Sequence, residues 1–134
     1  VKPDRLVFFA VGGVVGATVR WVVVDIAPHG TLDWGVLIVN TIGSLLLGMI
    51  AALALHPERR THPAVIAAGA GFCGSLTTFS TLAVSVAGEL RDGSAPTGLV
   101  QLTVSLATGL VAAFVGWYLV ERPVHHDAEL LDGP

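Results

Sequence analysis

Apolar residues run along the chain in four long stretches, with the formal charges gathered at their ends. Between Asp33 and Glu58 lie 24 residues without a formal charge, between Arg60 and Glu89 another 28, and between Asp92 and Glu121 another 28. A helix crosses the hydrocarbon core of a bilayer with about 20 predominantly apolar residues. The first stretch, from Leu6 to Val24, is interrupted only by Arg20. The pattern therefore predicts four membrane helices, over roughly 5–27, 34–55, 64–88 and 97–120. Charge, Pro and Gly collect in the segments between them, at Asp25-Ile26-Ala27-Pro28-His29-Gly30, His56-Pro57-Glu58-Arg59-Arg60 and Arg91-Asp92-Gly93-Ser94-Ala95-Pro96. Connections this short make successive helices antiparallel neighbours. Residues 1–122 thus read as a single four-helix transmembrane domain. The segment 123–134, with Pro123, His125, His126 and an acidic end, reads as a solvated, mobile tail.

Composition narrows the class. Of 134 residues, 53% are hydrophobic and only 13% charged, too little polar surface for a soluble fold. With four helices placed, little chain is left for an enzymatic or nucleic-acid module, and the net charge of −3 offers no basic surface for phosphates. The single cysteine, Cys73, lies inside the third stretch, which excludes an internal disulfide and a Cys-based zinc site. Lys2 and Arg5 before an apolar run resemble a signal peptide, but the run continues past Arg20 with no small-x-small cleavage site, so it reads as a retained helix. With the N-terminus inside, Lys2, Arg5, Arg59, Arg60 and Arg122 lie on the cytoplasmic side and only Arg20 and Arg91 outside. That bias predicts both ends cytoplasmic, and the expected location is the cell inner (plasma) membrane.

Each stretch carries a few residues that lipid alone does not explain. In the first, Gly12/Gly16 and Gly13/Ala17 are spaced as small-xxx-small pairs, which let a second helix approach closely. Arg20 either snorkels to the interface or presents positive charge at a pore vestibule. In the second, Asn40 is the one amide, and a buried amide in lipid must find partners, either on a neighbouring helix or in a polar pathway. The third places Gly69, Gly71 and Gly74 before Ser75, Thr77, Thr78, Phe79, Ser80 and Thr81, at the depth of mid-membrane. Glycine weakens a helix there. Non-helical backbone at that depth is tolerated where protein or a water-filled cavity covers it, so a break near 74–79 would expose carbonyls that suit a cation and donors that suit an anion. The bland alternative has Ser and Thr bonding back to the preceding turn. In the fourth, Gln101, Ser105 and Gly109 share a face with Thr108 beside them, either lining a path or joining helices. No stretch contains a carboxylate, which argues against a proton-coupled cation or drug exporter. The five histidines fall in loops or tail, and no spacing resembles a nucleophile and its base.

Three segments taken together resemble the Fluc (CrcB) family of small fluoride channels: Gly12 to Arg20, Val39-Asn40-Thr41-Ile42-Gly43-Ser44, and Gly71 to Thr81. The resemblance covers essentially all four helices. It implies an antiparallel, dual-topology dimer with two fluoride pores at the interface and a structural sodium ion at its centre, held by backbone carbonyls where the third helix breaks. It assigns Gly74 and Thr77 to the sodium and Phe79 to the first pore phenylalanine. Asn40 becomes a pore donor, and Thr78, Ser80 and Ser105 become hydroxyl donors. An aromatic edge is the positive part of the ring quadrupole and suits a small anion.

The chain also departs from that pattern. Leu82 stands where a second pore phenylalanine is expected, Gln101 where a tyrosine is, and Ser85 where an acidic residue is. Gln101 is carried as a pore position on that alignment, and Arg20 as the vestibule charge. Single-gene members need both orientations in one membrane, whereas five basic residues against two fix one. The expectation is therefore passive fluoride export, by a homodimer or by a heterodimer with an oppositely inserted homologue. A non-conducting partner subunit is the second reading.

Overall fold

The computed structural model describes residues 3–28, 30, 32–56 and 61–131, with side chains described as far as Glu121. The described residues form five helices: α1 (Pro3–Ile26), α2 (Trp34–Leu55), α3 (Pro63–Leu76), α4 (Phe79–Arg91) and α5 (Ala95–Leu131). Among the described residues, four segments are long and apolar enough to cross a membrane: Pro3–Ile26, Trp34–Leu55, Pro63–Arg91 and Ala95–Glu121. At 1.5 Å per residue α3 and α4 reach only about 20 Å each, so neither crosses a core of about 30 Å without the other.

Local chemistry sets the boundaries. Pro3 and Pro63 occupy first-turn positions, where the missing N–H is no loss. Asp33 caps α2, its Oδ1 accepting from the Val36 N–H at 3.2 Å. His62 caps α3 through Nδ1, which accepts from the Ala64 N–H at 3.2 Å. α4 ends before Gly93, whose φ of +79° turns the chain into α5.

Backbone approaches backbone in two pairs of helices. α1 lies along α3 and α2 along α5, with α2 also touching α3, and α4 touching α5. Gly12 and Gly16 face the carbonyls of Ala68 and Phe72, while Gly71 returns the contact against Phe9. A Cβ at any of the three would overlap main-chain atoms, which explains the small-residue spacing. In the second pair Gly48 rests on the Ala113 carbonyl and Gly116 on that of Leu45. The outer surface is apolar, with Val14, Trp21, Val84, Leu110 and Phe114 among the exposed side chains. The buried set is small, led by Val36, Val39, Cys73 and Leu82.

The expected boundaries shift most at the C-terminal end. The helix expected over 97–120 begins at Ala95 and continues to Leu131, into the segment read from the sequence as a solvated polar tail. Charge ends the hydrophobic span near Glu121 but does not by itself end a helix; Glu, Arg, Ala and Leu favour one, whereas Pro123 and the histidines do not, so local propensity does not account for the continuation past Pro123. Lys2, His29, Arg59 and Arg60 lie outside the described residues, as do the side chains of Arg122, His125 and His126.

Candidate functional site

The site is built where α3 gives way to α4. Thr77 and Thr78 lie between the two helices in extended conformation, at φ −75° and ψ 149°, and φ −148° and ψ 113°. The helical ladder of α3 closes with the Thr77 N–H and Oγ1, both donating to the Cys73 carbonyl at 3.0 Å. In a continuous helix the Thr78 N–H would donate to the Gly74 carbonyl. Instead it donates to Asn40 Oδ1 on α2, at 2.7 Å. Asn40 Nδ2 donates in return to the Thr78 carbonyl at 3.1 Å, so one carboxamide takes both main-chain groups of one residue.

The other side of the junction is rearranged in the same manner. The Thr81 N–H, which a continuous helix would aim at the Thr77 carbonyl, donates to Thr78 Oγ1 at 3.1 Å. That hydroxyl lies 2.9 Å from Thr81 Oγ1 and 3.2 Å from Ser80 Oγ. The carbonyls of Gly74 and Thr77 have thus both lost their ladder donors to other acceptors. Gly74 is exposed, and a Cβ there would meet nothing within 4 Å.

Against this junction lies a groove of ≈ 330 Å³ between α2, α4 and α5. Asn40, Ser44, Thr77, Thr78 and Ser105 provide its polar groups, and Phe79 and Leu82 belong to its apolar wall. Ser105 is 4% exposed, and its Oγ is buried without a hydrogen-bond partner. Thr78 is 6% exposed, whereas Phe79 at 68% stands at the rim. Leu82, where an aromatic was expected, is among the most deeply buried side chains of the chain.

Of the pore positions read from the sequence, Asn40, Thr78, Phe79 and Ser105 meet around this groove. Ser80 is joined to it only through the Thr78 hydroxyl. Gln101 is not among the residues lining this groove; its carboxamide is taken up by the start of α2. Its Oε1 accepts from the Asp33 N–H at 3.0 Å, and Nε2 reaches the Asp33 carbonyl at 3.5 Å. Thr108 likewise joins helices, accepting from Thr41 Oγ1 at 3.2 Å. The polar face of α5 therefore divides, with Ser105 and Gly109 on the groove and Gln101 and Thr108 bound to α2. Arg20 lines a separate hollow of ≈ 360 Å³ with Trp21, Val24, Asp25 and Thr81. No three His, Cys, Asp or Glu side chains gather among the described residues.

A family model described as "CrcB-like protein, Camphor Resistance (CrcB)" matches residues 7–117. The chain belongs to the CrcB family. The match begins in the first turns of α1 and runs through the junction and the groove to Trp117, so the whole site lies inside the family's extent. Relatives within it carry a functional name. The protein named "Fluoride-specific ion channel FluC 2" of Parasynechococcus marenigrum (strain WH8102) is 38% identical over 118 residues, covering 88% of this chain and 82% of that relative. A protein of the same name from Rhodococcus jostii (strain RHA1) is 36% identical over 113 residues, covering 82% and 93%. "Fluoride-specific ion channel FluC 1" of Symbiobacterium thermophilum is 36% identical over 114 residues, covering 82% and 92%. Membership and the four spanning segments make this CrcB chain a multi-pass membrane protein.

Proposed function

We propose that the chain is a subunit of a fluoride-selective channel that lets cytoplasmic fluoride leave passively, down its electrochemical gradient. Its CrcB membership and the names of its relatives support the ion. The observation that carries the reading to this chain's own residues is the groove. It joins a buried hydroxyl without a partner, Ser105 Oγ, to the Asn40 carboxamide and an aromatic rim. Fluoride is small and strongly hydrated, so a path must replace its water with donors while giving larger anions no equivalent. Asn40 carries a second N–H beyond the one given to Thr78, Ser105 supplies an O–H, and Phe79 offers the positive edge of its ring. Hydrogen fluoride enters from acid surroundings, ionises inside and is trapped; a channel for the anion relieves that load. The function involves no covalent chemistry, and the protein is not an enzyme.

The groove is open on one side, and Phe79 stands out from the subunit, so the path needs a second subunit to close it. In this reading the junction at Thr77–Thr78 is the mid-membrane break, placed at the centre of an antiparallel dimer with two pores. A sodium ion suits that centre. The released carbonyls of Gly74 and Thr77 are hard oxygen donors, the position is open, and among the described residues no cluster of acidic or histidine side chains competes for a metal. Those two carbonyls would hold the ion, which supplies fixed positive charge between the paths. Arg20 is the cation of the neighbouring hollow, which it shares with Asp25 and whose Thr81 hydroxyl is hydrogen-bonded to the groove's Thr78; in this reading it is the vestibule charge.

Both ends of the chain are cytoplasmic in this reading, as the Lys and Arg count favours. A fixed orientation makes an oppositely inserted homologue the partner, and Leu82 in place of an aromatic leaves this subunit's share of one pore changed. Fluoride-electrode efflux from liposomes, with the chain alone and with a co-expressed homologue, tests the assignment. The expected result is fluoride efflux from the pair and little from the chain alone. Efflux from a mixed-topology homodimer would overturn the heterodimer, and no efflux from either preparation would overturn the channel.

A further inference from the structure

Gln101 is 2% exposed and sits one helical turn before Ser105 on α5, yet it stands off the groove. Its two polar atoms are directed at one residue, Asp33, 68 positions earlier in the chain. Asp33 is the N-cap of α2: its Oδ1 accepts from the Val36 N–H and its carbonyl from the Leu37 N–H at 3.0 Å. Asn40 follows Asp33 by seven residues, two turns along the same face of α2. Gln101 and Ser105 share a face of α5 in the same way. The bond between Asp33 and Gln101 therefore acts with the Thr41–Thr108 bond in fixing how far Asn40 lies along α2 from Ser105 on α5, two donors that both line the groove.

We propose that Gln101 is a positioning residue, holding α2 in register with α5 through the Asp33 main chain so that Asn40 and Ser105 keep a spacing that fits fluoride and not chloride. This rests on the groove's being the fluoride path. The carboxamide does not touch the ion. Without it the two helices still pack through Gly48 and Gly116 and stay joined by the Thr41–Thr108 hydrogen bond, but the start of α2 loses its tie to α5, which loosens the register between Asn40 and Ser105. The loss expected is therefore of selectivity at each channel, which a merely structural role would not produce.

A double-mutant cycle separates positioning from direct contact. Asp33→Ala removes the side-chain cap and keeps the N–H; Asp33→Pro removes both, and the φ of −78° at this residue admits proline. Each is combined with Gln101→Met, a substitution of similar length without the amide, in the full chain reconstituted in liposomes with its partner. The quantity read is the ratio of fluoride to chloride efflux. On the Asp33→Ala background Gln101→Met is expected to lower the ratio roughly three- to tenfold, in keeping with the net effect of a hydrogen bond. On the Asp33→Pro background the ratio is already lowered, and Gln101→Met changes it no further. A full additional loss on the proline background would overturn the proposal in favour of direct contact with the ion, and an unchanged ratio on the alanine background would overturn it outright. Hydrogen exchange at the Asp33 amide is the second measurement, for use if the proline variant does not fold or if the protein moves no fluoride. Gln101→Met is expected to speed exchange at Asp33 while leaving Thr78 protected; unchanged exchange at Asp33 would remove the bond on which the proposal stands. Absent fluoride flux in the unmodified protein, with Asp33 exchange still raised, would locate the failure in the channel reading and not in the helix register.

Discussion

Asn40 on α2 and Gln101 on α5 each present one carboxamide to both main-chain groups of a single distant residue, but the backbone they hold differs. Asn40 holds Thr78, between two helices, where the ladder is interrupted on both sides and Thr78 itself is buried. Gln101 holds Asp33, at the start of a helix, where the first N–H groups lack intrahelical partners in any case and the carbonyl already accepts from Leu37. The same side-chain chemistry thus closes a gap in the middle of the protein and tightens a joint at its edge. A buried polar group left unpaired costs far more than a hydrogen bond contributes on average, so the two contacts should not be equal.

Three substitutions test that inequality by thermal unfolding in detergent. Asn40→Leu strands the Thr78 N–H and carbonyl together, and should remove about 3 kcal/mol of stability. A loss no larger than that of the Gln101 variant would erase the distinction between gap and joint. Gln101→Met should remove about 1 kcal/mol, because only the Asp33 N–H is left without its partner. Thr41→Val is the smallest change, about 0.6 kcal/mol, the average for one hydrogen bond between membrane helices. Thr108 keeps its bonds to the Val104 and Ser105 carbonyls when Thr41 is lost, so no group is orphaned. A Thr41 effect as large as that of Asn40 would mean that interhelical bonds of every kind matter alike here.

Much of this architecture is legible in the sequence, for identifiable reasons. The spans follow from charge placement, because lipid admits so few formal charges that their positions mark the surfaces. The paired glycines foretell close helix contact, since only a missing Cβ lets Gly12 and Gly16 rest on main-chain carbonyls. The Gly, Ser and Thr cluster over 69–81 singles out the segment around which the groove is built. Other features have no local signal. That Asn40 pairs with Thr78, and Gln101 with Asp33, depends on which helices become neighbours, over separations of 38 and 68 residues. The face carrying Gln101, Ser105 and Gly109 is uniform in sequence and divided in space, because α2 meets it only in part. The continuation of α5 past Glu121 has no hydropathy signal, because the end of an apolar run marks the edge of a membrane, not the end of a helix.

Phe79 offers the most direct test of the account. It lines the groove at its rim and is 68% exposed within the subunit, so replacing it with another apolar residue removes an aromatic edge without opening a core cavity. Fluoride-electrode efflux from liposomes carrying Phe79→Ile in the assembled channel, at matched protein content, should fall to the level of protein-free vesicles. Efflux equal to that of the unmodified protein would contradict the placement of Phe79 in the path, and with it the assignment of the groove as half of a fluoride pore.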